Sequence, residues 1–440
     1  MLIATRPAGK CPSIPFMAPL TFWALLSTLL GSSCSPAGDP YTRAEAPVSQ
    51  ASGEDAATAL LPPWIAFDPE GGIDAEASRI ASSLDIRALA GQLIMVSIDG
   101  KGALPSWGRD FLEETKPGAL LLFRQNIPED PFDLVPFIAA VRSSAAVYGL
   151  SPFIAIDHEG GDVFRFKAGL TRLPSAQRMG EAGRDAAALA GAVAASELGF
   201  LGIDLNLAPV AEALNDMNTA FLGGRAWSPD PAQAGLFAYS FIGASQGSGV
   251  ACAVKHFPGN ADEDPHAGLP LLDADRDEFE LAYLQPFRLA LRARPAALLL
   301  SHARVACIDD VSPATLSPAV IEFLRRELEY DGIALSDDLV MGALAGFGTV
   351  EAVALKALEA GVDMVMVSGP REARRTRDAI IRALQDGTLA ESRAREAARR
   401  IIAQKLRFNA DESRSAGDKA AFEALVAANR AALQKAMSGL

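Results

Sequence analysis

Eight short apolar runs, separated by longer stretches of helical period, dominate the chain from Leu84 onward. The runs lack the alternation of polar and apolar residues, which is typical of strands buried on both faces of a parallel sheet. Repeated strand–helix units of this kind close into a (β/α)8 barrel, so we predict an α/β fold with a single TIM-barrel catalytic domain. An open doubly wound sheet would show the same alternation, but it would gather its polar groups at one switch point. The eight runs are Gly91–Asp99, Gly118–Phe123, Pro152–Asp157, Gly202–Ala208, Val250–Val254, Ala296–Ser301, Gly332–Ser336 and Gly361–Ser368.

Polar residues stand at the ends of six of these runs, and the four histidines of the chain all follow apolar runs. In a (β/α)8 barrel the carboxyl ends of the strands meet at one face, where the active site lies. Packing alone does not explain this placement of every histidine, so we expect a site there. The polar ends are Asp99, Asp157, Lys255-His256, Ser301-His302, Asp337-Asp338 and Ser368, and the histidines are His158, His256, His266 and His302.

The stretch Val250–Pro270 changes character in its middle. An apolar strand ends at Lys255 and His256, and Pro258-Gly-Asn260 then breaks the strand. The loop that follows holds Asp262, Glu263 and Asp264 and delivers a second imidazole, His266. These charges at a strand end predict a functional site, and a merely salt-bridged loop is the alternative.

Two adjacent carboxylates, Asp337 and Asp338, end the seventh run. Neighbours on a strand face opposite ways, so only one of them is expected to point into the barrel mouth. That carboxylate could be a nucleophile, a base or a metal ligand. For the other, we expect a helix N-cap at Asp338.

The composition excludes some partners. The chain has 440 residues, a net charge of -14 and a pI near 4.9, and no basic stripe offsets this balance, which argues against nucleic-acid binding. Cys252 and Cys307 lie in or beside apolar runs and are interpreted as small core residues. The oligomeric state is left open.

The amino terminus has the pattern of an export signal. Arg6 and Lys10 precede an apolar stretch, Phe16–Leu30, that is short for a membrane span. The Leu-Gly-Ser-Ser-Cys ending resembles a bacterial lipoprotein signal, which implies lipidation of Cys34, membrane anchoring and an exported location; plain secretion or an uncleaved anchor are the alternatives. We predict an export signal over 1–34, a flexible linker over 35–75, the barrel domain over 76–409 and a helical tail over 410–440.

Five motifs in order along the chain are similar to glycoside hydrolase family 3, in particular to its single-domain β-N-acetylglucosaminidases. The similarity extends from about Leu84 to Phe408. The motifs are Asp157-His-Glu-Gly-Gly161 followed by Arg165, Asp204-Leu-Asn-Leu-Ala-Pro209, Gly224-Arg225, Lys255-His-Phe-Pro-Gly259 and Ser336-Asp-Asp-Leu339.

This resemblance implies that Asp337 is a nucleophile that forms a covalent glycosyl-enzyme intermediate with retention of configuration. The family's Asp-x-His pair matches Asp264-Pro-His266, which implies His266 as the proton donor and Asp264 as its partner. An unperturbed imidazole titrates near pH 6.5, close to what acid-then-base work requires. The resemblance further implies that the substrate sugar is held by Asp157, Arg165, Arg225, Lys255 and His256, with no cofactor and no metal.

Two departures from the family pattern bear on specificity. The loop between His256 and His266 is two residues shorter than usual, and Asp162 replaces an arginine. The expected substrates are cell-wall fragments (muropeptides) or chitin-type oligosaccharides with a terminal N-acetylglucosamine. The alternatives are a β-glycosidase for another sugar, a lipid-anchored sugar-binding protein without turnover, and a metal-dependent barrel hydrolase, although Ser97-Ile-Asp99 stands where the last usually has a His-x-His pair.

Overall fold

The computed structural model describes residues 71–408 and 417–438. Eight parallel strands close into one barrel in which each strand pairs with its neighbours along the chain and the eighth pairs with the first. The predicted (β/α)8 fold is therefore confirmed. The barrel strands are β1 Ile94–Val96, β2 Ala119–Leu122, β3 Phe153–Ile156, β4 Leu205–Asn206, β5 Ala251–Phe257, β6 Ala297–Leu300, β7 Ile333–Asp338 and β8 Met364–Val367.

Helices surround the barrel and bury the outer faces of the strands. This is why the strand residues are apolar on both faces, since the inner faces pack against one another. The α-helices are α1 Gly72–Ser83, α2 Ile86–Gln92, α3 Ser106–Thr115, α4 Leu134–Ala145, α5 Ala176–Glu181, α6 Arg184–Phe200, α7 Thr219–Leu222, α8 Pro231–Gly247, α9 Arg276–Glu278, α10 Gln285–Leu291, α11 Pro318–Arg326, α12 Val350–Ala360, α13 Pro370–Asp386, α14 Glu391–Phe408 and α15 Lys419–Met437.

Shorter elements fill the connections. A π-helical turn, Phe279–Leu284, joins α9 to α10. The 3-10 turns are Arg124–Asn126, Pro131–Asp133, Gly223–Arg225, Ala314–Leu316 and Gly342–Phe347, and the short strands outside the barrel are His158–Gly160, Val163–Phe164, Leu271–Leu272, Arg304–Val305 and Asp309–Pro313.

The carboxy-terminal helix α15 lies within the predicted helical tail and packs on the outside of the barrel against α6. The ring of Phe422 lies 5.3 Å from that of Phe200 and 6.3 Å from that of Phe132, between centroids. The Thr171 hydroxyl also donates to the carbonyl of Val426 at 3.2 Å. At the other end of the described chain, helix α1 begins at Gly72, a few residues before the predicted domain boundary at 76.

Buried ion pairs stabilise the amino-terminal end of the barrel, below the start of β8. Asp363 is fully buried, and its carboxylate forms ion pairs with Arg325, Arg393 and Arg400. Its Oδ1 lies 2.7 Å from Nη2 of Arg393 and 3.3 Å from Nη1 of Arg400. The backbone N–H of Ala334 completes its set of donors at 2.9 Å. The carboxylate is thus saturated with partners, which is what burial of a charge requires.

A buried lysine, Lys405, lies at the same end of the barrel. Its Nζ donates to Oε1 of Gln92 at 2.7 Å, and the Gln92 amide donates to the carbonyl of Lys116 at 3.0 Å. Burial lowers the pKa of Lys405 to about 7.

In the two described ranges, no helix has both the length and the hydropathy that a membrane span needs. The predicted export signal, the lipidation site Cys34 and nearly all of the predicted linker lie outside the described residues. Cys252 is buried in β5 as predicted and Cys307 is half-buried, both as free thiols.

Candidate active site

A polar cavity of about 220 Å³ opens at the carboxyl ends of the barrel strands. It is smaller than the roughly 300–1,000 Å³ that encloses a drug-sized ligand, so it suits one small ring. Larger cavities in the described ranges, of about 340, 400 and 640 Å³, lie elsewhere on the chain, and their walls contain none of the predicted site residues. The small cavity is lined by Leu121, Phe123, Asp157, Glu159, Val163, Arg165, Leu207, Phe221, Arg225, Lys255, His256, His266, Leu299, Asp337 and Met366.

Asp157 and Lys255 form the floor of the cavity. Asp157 follows β3, and its two oxygens accept from Lys255 Nζ at 2.7 Å and from Arg165 Nη2 at 3.0 Å. Burial opposes the charged form of each group, but the paired charges prevail, so the pKa of Asp157 is lowered and that of Lys255 is raised. Both groups are therefore charged at neutral pH.

Glu159 is a buried carboxylate that the sequence analysis did not select. It lies 2.7 Å from Lys255 Nζ and accepts two hydrogen bonds of 2.9 Å from Arg225. Although burial acts in the opposite direction, Lys255 and Arg225 hold the pKa of Glu159 well below its usual range. Its position two residues after Asp157, on the same side of an extended chain, was the signal that could have identified it.

Glu212 fixes His256 and the start of the loop that follows it. Its carboxylate accepts from His256 Nδ1 at 2.7 Å, from the Asn260 backbone N–H at 2.6 Å and from the Asn260 amide at 3.0 Å. Arg225 Nη2 lies 3.3 Å from Nε2 of His256. Because Arg225 can only donate, this arrangement fits a neutral His256 with its proton on Nδ1. Glu212 therefore anchors the start of the loop between His256 and His266.

Asp337 reaches the cavity from the end of β7 and is half-buried there. Its Oδ1 accepts the backbone N–H of Asp338 at 2.8 Å, and across residues 71–408 and 417–438 no cationic side chain forms an ion pair with it. The pairing register with β8 shifts between Leu335 and Asp338, which is the kind of irregularity that re-aims side chains next to active sites.

Asp338 faces away from the cavity, as the strand alternation predicted. Its Oδ1 accepts the backbone N–H groups of Val340 at 3.2 Å and Ser368 at 3.1 Å. Burial raises the pKa of Asp338. The predicted helix N-cap at this residue is wrong, because the next helical turn begins at Gly342 and the two donors belong to loops.

His302 contacts the main chain of Asp338, the residue that follows the predicted nucleophile. Its Nδ1 lies 2.8 Å from Oγ1 of Thr315, and its Nε2 lies 3.1 Å from the carbonyl of Asp338. Burial lowers the pKa of His302, although the nearby Asp337 carboxylate acts in the opposite direction. His302 is not part of the cavity wall and acts on the site through the main chain.

His266 stands at the edge of the cavity on the loop after β5, with 68% of its side chain exposed. Its Nδ1 lies 2.8 Å from Oδ1 of Asp264, and the same oxygen accepts the backbone N–H of His266 at 2.9 Å. These hydrogen bonds orient the ring and leave Nε2 available. Nε2 can therefore exchange a proton with a bound ligand.

His158 is the exception among the four histidines. It is buried, with its ring centroid 4.6 Å from that of Phe164 and 5.8 Å from that of Phe166. Burial, with the nearby arginines 172 and 165, lowers its pKa to about 3. His158 is therefore a neutral core residue, and the expectation that all four histidines belong to one site is wrong.

The cavity brings together most of the residues selected from the sequence. Asp264 is outside the wall but bonds to His266, and Asp99 and Ser368 are not part of the wall. Within the described part of the chain, no group of three or more His, Cys, Asp or Glu side chains could hold a metal ion. The predicted residues in the wall are Asp157, Arg165, Arg225, Lys255, His256, His266 and Asp337.

Comparisons with known proteins identify the family of the chain. The model of the glycosyl hydrolase family 3 N-terminal domain matches residues 86–404. A β-hexosaminidase of Methylococcus capsulatus is 35% identical over 299 residues, which cover 66% of this chain and 86% of that relative. The solved structure of a family 3 β-N-acetylglucosaminidase from Paenibacillus sp. str. FPU-7 is similar with a TM-score of 0.72 at 30% identity, over 79% of this chain and 68% of that one. A β-N-acetylhexosaminidase from Beutenbergia cavernae has a TM-score of 0.67 at 26% identity, over 73% of this chain and 99% of that one.

With a barrel, a polar cavity and a family match over most of its length, this chain belongs to glycosyl hydrolase family 3 and is a glycoside hydrolase.

Proposed function

We propose that the enzyme is a retaining β-N-acetylglucosaminidase that removes terminal β-linked N-acetylglucosamine from cell-wall fragments or chitin-type oligosaccharides. The names of the relatives above support the sugar. The observation that carries the mechanism is the contrast inside the cavity, where Asp157 and Glu159 are paired with cations and Asp337 is not. A carboxylate without such a partner keeps its electron pair available for attack.

In the first step, an oxygen of Asp337 attacks the anomeric carbon while the bond to the leaving oxygen breaks. The Nε2 proton of the His266 imidazolium passes to that oxygen, and Asp264 stabilises the charged ring until the transfer. In the second step, the neutral imidazole takes a proton from water, and the resulting hydroxide displaces Asp337 from the anomeric carbon. Two inversions give net retention.

The paired charges on the cavity floor hold the sugar. Asp157 and Lys255 present an acceptor and a donor at fixed positions, and Arg165 carries a buried Nε with no hydrogen-bond partner among the described residues. Because these groups are already oriented by one another, binding requires little rearrangement, and such preorganised dipoles provide much of the stabilisation of a transition state.

The decisive experiment compares turnover of 4-nitrophenyl N-acetyl-β-glucosaminide and 4-nitrophenyl β-glucoside. We expect the first to be cleaved faster, with the β anomer of N-acetylglucosamine appearing first by NMR. A fluorinated N-acetylglucosaminyl donor that slows the second step should leave a sugar mass on the peptide that contains Asp337.

Other outcomes would identify the alternatives. Cleavage of the glucoside alone would indicate a β-glycosidase for another sugar, and binding of chitin oligosaccharides without turnover would indicate a sugar-binding protein. First appearance of the α anomer would contradict retention.

We also propose that the enzyme is exported and anchored to a membrane through a lipid on Cys34. The support is the sequence alone, in which a basic start, an apolar stretch and Leu-Gly-Ser-Ser-Cys34 follow one another. Wild type should sediment with membranes and incorporate labelled palmitate, and Cys34→Ala should do neither. Equal sedimentation of both proteins would contradict the anchor.

A further inference from the structure

The loop that carries His266 rests on the segment that follows the nucleophile strand. The backbone N–H of Ala343 donates to the carbonyl of Pro265 at 3.0 Å. Next to it, Gly342 approaches the loop so closely that an added Cβ would lie 2.4 Å from the carbonyl oxygen of His266, a distance that real side chains do not adopt. The contact is backbone against backbone, so a rotamer change cannot relieve it.

His266 itself belongs to a compact turn with little freedom of its own. The backbone N–H groups of Ala267 and Gly268 donate to the carbonyl of Asp264 at 2.8 and 3.0 Å, and Asp264 also bonds to the backbone and ring of His266. Since most of the imidazole is exposed, packing around the ring does not fix its position. The place of the whole turn decides where Nε2 lies.

The segment beneath the turn is tied to the nucleophile strand. Leu339 donates to the carbonyl of Met366 at 3.0 Å, and Met341 donates to the carbonyl of Asp338 at 3.0 Å. The oxygen of the same Asp338 carbonyl lies 3.1 Å from Nε2 of His302. Asp337 and the support of His266 are thus separated by only a few restrained residues.

We propose that Gly342 is a positioning residue that sets the distance between the proton donor and the nucleophile. Its missing side chain lets the backbone of His266 lie directly on the nucleophile segment. The inference rests on the proposed roles of Asp337 and His266. In it, the segment Leu339–Ala343 fixes the positions of these two side chains relative to each other. A larger residue at position 342 displaces the turn and moves Nε2 away from the leaving oxygen.

The test compares Gly342→Ala with the matched control Gly346→Ala. Both glycines belong to the same 3-10 turn and neither has a positive φ, but a Cβ at Gly346 would meet nothing within 4 Å. We expect Gly342→Ala to lower kcat/KM by about 10²-fold on chitobiose, whose leaving group needs a proton, since a 1 Å misplacement costs about that much. On the 2,4-dinitrophenyl N-acetylglucosaminide, whose leaving group needs none, the loss should be less than about 3-fold. Gly346→Ala should match wild type on both.

A double variant separates positioning from general damage. If Gly342 acts through His266, Gly342→Ala in the His266→Ala background should cause no further loss on chitobiose. Additive losses, equal losses on both substrates, or a Gly342→Ala enzyme that matches Gly346→Ala would overturn the inference. Activity on the dinitrophenyl substrate reports that the variant is folded. If wild type did not cleave the dinitrophenyl substrate, or if Asp337→Ala still cleaved it, the proposed function itself would be contradicted.

Discussion

The two ends of this barrel treat a carboxylate at a strand end in opposite ways. At the amino end, Asp363 is fully buried and bonds to three guanidinium groups and a backbone N–H. At the carboxyl end, Asp337 is half-buried and accepts one backbone N–H, with no ion-pair partner in the described ranges. A carboxylate surrounded by guanidinium groups, such as Asp363, stabilises the fold and cannot attack a substrate, whereas a carboxylate without a cation beside it keeps its electron pair available. Asp337 differs in this respect both from Asp363 and from the paired Asp157 and Glu159 in its own cavity.

The largest effect is expected from Asp337→Asn. Removing the proposed nucleophile should lower kcat by on the order of 10⁴-fold or more. The free energy of unfolding should stay within about 1 kcal/mol of wild type or rise, because no ion pair is broken. Turnover and urea denaturation measure the two quantities, and a clear loss of stability would show that Asp337 has a structural partner.

The second prediction is that Asp363→Asn should lower stability and leave activity unchanged, the opposite of Asp337→Asn. Three half-buried guanidinium groups lose a counter-charge, and for Arg325 it is the only ion-pair partner within the described residues, so the free energy of unfolding should fall by about 3–5 kcal/mol. The remaining folded enzyme should keep its kcat. Asp331→Asn is the matched control, since Asp331 pairs with Arg399 and Arg400 but is 61% exposed, and it should cost at most about 1 kcal/mol. Equal costs for the two variants would break the comparison.

The third prediction concerns the buried amine of Lys405. Its pKa is lowered to about 7 in the folded state, so above that pH the unfolded chain binds a proton that the folded protein does not. Stability from this group must therefore rise between about pH 7 and the usual lysine pKa near 10.5. The free energy of unfolding of wild type minus that of Lys405→Met should increase by a few kcal/mol over this range. A difference that is flat with pH would show that the amine stays charged.

The smallest effect is the difference in stability cost between substitutions at two buried threonines. Thr315→Val removes the hydroxyl that bonds to His302 and to the carbonyl of Ser301, and should cost about 1–3 kcal/mol of stability together with part of the activity. Thr376→Val is the control in α13, because the Thr376 hydroxyl is buried and has no hydrogen-bond partner within the described residues. It should be neutral or stabilising. Thermal denaturation of both variants decides whether the His302 support is energetically important.

The barrel could be predicted because each strand is marked locally. Runs such as Ala297–Leu300 are apolar on both faces, and this pattern persists whatever the distant residues are. The same locality identified Asp157, Lys255 and Asp337, which stand where buried strands end. Asp264 and His266 are two residues apart, so their bond was also within reach of sequence reasoning.

The supporting residues could not be predicted because their partners are distant in sequence. Glu212 precedes His256 by 44 residues, and nothing near either residue indicates the pairing. Thr315 lies 13 residues and Asp338 36 residues beyond His302, too far for a local sequence pattern to indicate either contact. His158 was misjudged because an imidazole buried among phenylalanines follows an apolar run as readily as a catalytic one does.

The bonding of Asp264 to both the main chain and the ring of His266 makes this pair a self-contained cassette of three consecutive residues. Such a cassette needs only a backbone surface against which the turn can pack, and the main chain at Gly342 provides that surface. If His266 is the proton donor as proposed, protein engineers could graft this pair onto other barrels, or change leaving-group tolerance here, by redesigning the backbone around Gly342 while keeping the strand that carries Asp337 intact.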